Sequence, residues 1–198
     1  MPSPIGHALA GVAAAWAADL VPGNRAWRTA SAPAPWYKRA GNGLTVTCAA
    51  LAAAPDLDFL AGVHRTVTHS VTAVLFVGVC AASLAALARR PVARIALMCA
   101  MAYATHLLLD WLGADAYPPL GIQAFWPVSS EWYISGIDLF RQTARQGLLT
   151  SASLLRNSRA IVRELAILGP IVIALWLVRV KALAGLAAEV SGRHHPSQ

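Results

Sequence analysis

Charge is what this sequence has least of. Asp, Glu, Lys and Arg make up 13% of its 198 residues, about half the share of a soluble globular domain. Hydrophobic residues fill 57%. Ala dominates them, so the deficit of charge argues for lipid contact more strongly than mean hydropathy does. Acidic residues are scarcer than basic ones, nine against sixteen, for a formal net charge of +7. The basic residues stand between apolar runs and form no single cluster. That suits membrane loops and anionic lipid, and argues against a nucleic-acid partner. Cysteine is limited to Cys48, Cys80 and Cys99, all within apolar stretches. These read as small buried hydrophobes and not as a disulfide framework. Met1 to His7 contain no Lys or Arg. A cleaved signal peptide is therefore not expected, and the first apolar run is read as part of the mature protein.

What is present is a series of apolar segments: about Ile5–Val21, Leu44–Ala54, Ser70–Ala88, Ile95–Leu112 and Leu165–Val180. They predict an all-α, polytopic membrane bundle of four to five helices in one domain spanning 1–198. Pro22-Gly23 ends the first segment. Residues 22–43 read as a loop with an interfacial anchor at Trp27, Trp36 and Tyr37. The second segment is short, and Pro55 suggests a half-buried helix. Residues 138–164 carry five arginines among leucines, which suits an amphipathic helix on the headgroups or an ordinary solvated one. Residues 165–181 read as the last transmembrane helix. His194-His195 read as tail. With five crossings, ten basic residues fall on one side and six on the other. The positive-inside rule mildly favours the first side as cytoplasmic.

Four of the six His and three of the nine carboxylates fall in three compact sites flanked by apolar sequence. They are His7 after Pro4-Ile5-Gly6, Asp56 and Asp58 followed by His64, Arg65 and His69, and the pair His106 and Asp110. Each has a bland reading. His7 suits an interfacial position, Asp56 and Asp58 a helix cap or Asx turn, and His106 and Asp110 a hydrogen-bonded pair on one helical face. Together they favour chemistry, because ionisable groups beside apolar segments are costly. Alternating crossings also bring all seven to one membrane face. His and carboxylate suit a divalent metal such as Zn2+. Seven candidates exceed one tetrahedral ion, so one or two ions are expected, with ligands and their supporting partners not separated.

The blocks PSPIGHALAG, PDLDFL, HRTVTHS, THLLLDWL and GIQAFWPVSS, spread over residues 2–130, resemble the YdjM-type family of membrane-bound, metal-dependent hydrolases. The resemblance implies a multi-pass protein of the bacterial inner membrane. It implies metal ligands among His7, Asp56, Asp58, His64, His69, His106 and Asp110. The family's motif pattern has been likened to zinc-dependent phospholipase C, which implies a helical bundle, several zinc ions and phosphodiester chemistry. The expected reaction is metal-assisted hydrolysis of a phosphoester on a lipid or lipid-linked substrate. Asp56 or Asp58 would be the general base, and Arg65 would stabilise charge on a phosphoryl oxygen. A competing reading is a non-enzymatic membrane interaction protein with a structural metal site and a protein partner, since one family member is linked to LexA binding. A transporter fits less well, because the polar groups gather at one face and do not descend through the segments.

Overall fold

The computed structural model describes residues 1–20, 41, 43–62, 64–144, 147 and 149–193. The expected anchor at Trp27, Trp36 and Tyr37 and the tail pair His194-His195 lie outside the described residues. Five α-helices and no β-strand are present among the described residues. They are α1 (Pro4–Asp19), α2 (Gly43–Ala53), α3 (Val71–Leu87), α4 (Val92–Leu112) and α5 (Ser151–Arg193).

Local sequence sets the helix starts. Ser3 caps α1 by accepting from the Gly6 N–H, with Pro4 in the first turn, where its missing donor costs nothing. Ser70 caps α3 in the same way through the Ala73 N–H. Pro55 does not end the second segment. The chain tightens there into a 3-10 helix, Ala54–Ala61, that Gly62 closes at a φ of 71°. Gly43–Leu60 is thereby one 18-residue apolar stretch, longer than the half-buried helix expected from Leu44–Ala54.

Three stretches are long and apolar enough to cross a membrane: Gly43–Leu60, Val92–Leu112 and Ser151–Lys181. The chain is a multi-pass membrane protein. Only 11% of the apolar window in the third stretch is buried within the protein, so most of that surface is left for lipid. The shorter apolar helices are Pro4–Ala18 and Val71–Leu87. Leu75, Phe76, Val79 and Leu84 expose their side chains along α3.

The last helix corrects a boundary. An amphipathic or solvated helix at 138–164 and a crossing at 165–181 were expected. Ser151–Arg193 instead forms one continuous helix that runs through Pro170, and residues 138–144 are irregular. The change from arginine-rich to apolar composition marks a change of surroundings along one helix, not a break in it.

α1 packs on α2, α4 and α5, and α3 packs on α4. Gly11 permits the first of these contacts, because a Cβ there would lie 2.6 Å from the Cys48 carbonyl oxygen and 2.7 Å from the Ala52 Cβ. Ala15, Cys48, Met98 and Ala102 form the core between α1, α2 and α4. Ala10, Leu109, Phe140 and Leu168 form a second core that brings in α5. Residues 113–144 fold over one end of the bundle as an irregular cap. It is tied down by Val71 N–H to the Ala124 carbonyl at 2.8 Å, Gln123 N–H to the Arg65 carbonyl at 3.0 Å and Thr143 N–H to the Met1 carbonyl at 3.2 Å. The Trp126-Pro127 turn belongs to this cap, where the Trp126 carbonyl accepts from the Thr72 hydroxyl at 2.7 Å.

Candidate metal centre

Four chain segments deliver side chains to the capped end: the start of α1, the 3-10 helix after α2, the turn before α3 and the last turns of α4. His7, His69, His106 and Asp110 are all fully buried there, and Asp56 keeps 25% of its side chain exposed. His106 and Asp110 stand one turn apart on α4, with Nε2 and Oδ2 3.2 Å apart. His69 Nε2 lies 3.0 Å from His106 Nε2 and 3.4 Å from Asp110 Oδ2. Asp56 Oδ1 lies 3.7 Å from His106 Nε2 and 3.8 Å from His69 Nε2. Donor atoms bound tetrahedrally to one Zn2+ at 2.0–2.1 Å stand roughly 3.3 Å from one another. The observed separations bracket that spacing.

His7 approaches from the other side. Its ring stacks on His106, with centroids 3.8 Å apart. Its Nε2 faces the second oxygen of each carboxylate, 3.5 Å from Asp110 Oδ1 and 3.9 Å from Asp56 Oδ2. Neither ring nitrogen of His7 and neither oxygen of Asp110 makes a hydrogen bond. Buried polar atoms rarely go unbonded, and a buried carboxylate such as Asp110 needs compensating positive charge. This donor set fits a divalent cation, with His69, His106 and Asp110 to hold it, Asp56 at the exposed side of the same group and His7 beside the outer carboxylate oxygens.

Two further contacts fix the imidazoles. His106 Nδ1 is 2.8 Å from the Ala52 carbonyl oxygen. An N–H there donates to that oxygen and leaves Nε2 as a lone pair aimed inward. His69 Nδ1 is 3.2 Å from Asp58 Oδ2, a carboxylate–histidine arrangement of the kind that orients metal ligands. Burial pushes the His69 imidazole down, but the Asp110, Asp56 and Asp58 carboxylates outweigh it and hold His69 well above the ordinary histidine value.

The seven candidates thus divide. His7, Asp56, His69, His106 and Asp110 form the inner group. Asp58 and His64 sit behind it, with Asp58 Oδ1 2.6 Å from His64 Nδ1 and Asp58 Oδ2 accepting from the Thr68 hydroxyl at 2.5 Å. Asp58, His64 and His69 also form a smaller group that could hold an ion of its own. Arg65 is buried, but its guanidinium bonds to the Asp115 carboxylate and to the Tyr117 carbonyl at 3.1 Å. It touches the metal-ligand group through its backbone, whose N–H donates to Asp58 Oδ2 at 3.3 Å.

Sequence reasoning missed Asp115, Gln142 and Glu164. Asp115 accepts from Arg65 and from Gln142 Nε2, the latter at 3.2 Å. Buried Glu164 accepts from the Ser3 N–H at 2.6 Å and from the Ser3 hydroxyl, joining α5 to the start of α1 beside His7. A carboxylate at the edge of the apolar run that begins at Leu165 was the available signal for Glu164. A cavity of about 220 Å3 opens beside the centre, with Asp56, His64, Phe59, Pro4 and Thr143 in its wall.

No curated protein and no solved structure matches the chain. The model of the YdjM inner membrane protein family matches residues 1–185, and the chain belongs to that family.

Proposed function

We propose that this inner-membrane protein is a metal-dependent hydrolase that cleaves a phosphoester of a lipid or lipid-linked substrate. One observation carries the reading: the inner group combines donor atoms at metal-ligand spacing with an opening. Structural metal sites are closed, whereas catalytic ones keep a position for water and substrate. Asp56, the partly exposed member, lines both the cluster and the cavity.

A Zn2+-class ion bound here would supply Lewis acidity and lower the pKa of its water toward about 7. The chain's own residues do the rest. Asp58 and the Ala52 carbonyl hold His69 and His106 with Nε2 inward. Asp56 is the general base, because it reaches the cavity, whereas Asp58 is engaged by His64, His69 and Thr68. Arg65 is a positioning residue. With its guanidinium on Asp115, it fixes the loop whose backbone N–H supports Asp58. Phe59 and Pro4 give the cavity apolar wall suited to a lipid substrate.

The test is turnover of bis(p-nitrophenyl) phosphate and of phospholipid in mixed micelles by purified protein. Zn2+-loaded wild type should hydrolyse at least one of them. Chelation and Asp56→Ala should each abolish turnover. Loaded protein that retains its metal but turns over neither class would remove the reaction and favour the structural-site reading.

A further inference from the structure

A second cavity, of about 520 Å3, lies between the cap and the first turns of α5. We propose that it binds the phosphate of an anionic phospholipid headgroup, at a site separate from the metal centre and independent of whether that centre is catalytic. Arg141, Arg156 and Arg159 line it, and its wall contains no carboxylate. Three guanidiniums around one space repel one another unless an anion enters. Arginine is the side chain best matched to phosphate, through its planar fork of N–H donors.

One arm is already set. Arg156 donates through Nη2 to Gln142 Oε1 at 3.1 Å and through Nε to the Gln142 carbonyl at 3.3 Å. Buried Gln142 is itself held by Asp115 at 3.2 Å. The side chains of Arg141 and Arg159 make no hydrogen bond or ion pair with a described residue. Their guanidiniums are left for a ligand.

Position selects a lipid as the source of that phosphate. Ser3 bonds Glu164, and Ala10 packs with Leu168, so α5 runs alongside α1 in the same direction. The turns of α5 before Glu164 therefore project past the start of α1. The apolar stretch Ser151–Lys181 has 31 residues, about 46 Å as a helix against a hydrocarbon core of about 30 Å. Its first turns, with Arg156 and Arg159, stand at headgroup depth. Leu155 and Ala116 give the cavity an apolar side for the glycerol end of a lipid. The cavity also adjoins the metal centre's own: Arg141 and Gln142 border one, and Thr143 and Ala144 border the other.

The test titrates the full chain in neutral detergent with short-chain phosphatidylglycerol, short-chain phosphatidylcholine and inorganic phosphate, read by native mass spectrometry. Wild type should bind phosphatidylglycerol saturably and at least about tenfold more tightly than phosphatidylcholine. Arg141→Gln/Arg159→Gln should lose at least about tenfold of that affinity, with its Tm and metal content unchanged. Arg159→Gln alone provides the same readout should the double variant not fold. Equal binding of the two lipids, or undiminished binding by the variants, would overturn the proposal. Inorganic phosphate competing as well as phosphatidylglycerol would overturn the lipid source and assign the cavity to free phosphate.

Discussion

The side chains of Asp110 and Asp115, five residues apart, are both buried at the capped end. Asp115 accepts hydrogen bonds from Arg65, Gln142, Tyr117 N–H and Gly121 N–H. Asp110 accepts none and faces His7, His69 and His106. A buried carboxylate with four donors is a structural fixture. One with none, set among imidazole nitrogens, is prepared for a cation. The difference separates residues that hold the site together from those that would do its chemistry.

The largest expected effect is on the structural side. Asp115→Ala leaves the Arg65 guanidinium buried without its carboxylate, and breaking such a pair costs about 3–5 kcal/mol. Denaturant unfolding in detergent should show that loss. Asp110→Asn should behave in the opposite way. It breaks no hydrogen bond of Asp110, and His69 keeps Asp56 and Asp58 as carboxylate neighbours, so the metal-free protein should be about as stable as wild type. Its metal affinity should nevertheless fall by more than roughly 100-fold, the upper end for an outer-shell partner, measured by Zn2+ titration. If Asp110→Asn destabilises the fold and keeps its metal, the comparison collapses.

Asp58→Asn sharpens the same division. As the residue that orients His69, it should cost about 10–100-fold in metal affinity and leave the fold intact. The smallest effect is in the pH dependence. His69 is held above its ordinary value by its carboxylate neighbours, so below its raised pKa it carries a proton that metal must displace. Affinity should fall about tenfold per pH unit below that value, and Zn2+ titrations at pH 7 and at pH 6 would show it. A flat profile would mean that metal binding displaces no proton from His69.

The helical bundle was legible because the apolar segments stand apart in the sequence, separated by basic residues and by turn-forming pairs such as Pro22-Gly23. The gathering of the seven His and Asp groups was legible too, since helices alternating in direction bring the start of one beside the end of the next. Their division into two groups was not. Asp56 and Asp58 look equivalent in Asp-Leu-Asp, but on a 3-10 helix with three residues per turn they point about 120° apart. The pairings of Asp115 and Glu164 were not legible for another reason. Their partners, Arg65 and Ser3, lie 50 and 161 residues away in sequence, and no local pattern encodes such pairings. The continuity of α5 from Ser151 into the apolar run was hidden by the change from arginine-rich to apolar composition near Leu165.

The central claim is that the unbonded atoms of Asp110 and His7 belong to a metal centre. Metal analysis of the purified full chain, beside Asp110→Asn, tests it most directly. The account predicts roughly one or two Zn2+-class ions per wild-type chain and loss of most of that metal in the variant. A wild-type chain that takes up no ion after Zn2+ loading, or a variant that retains the same metal, would contradict it.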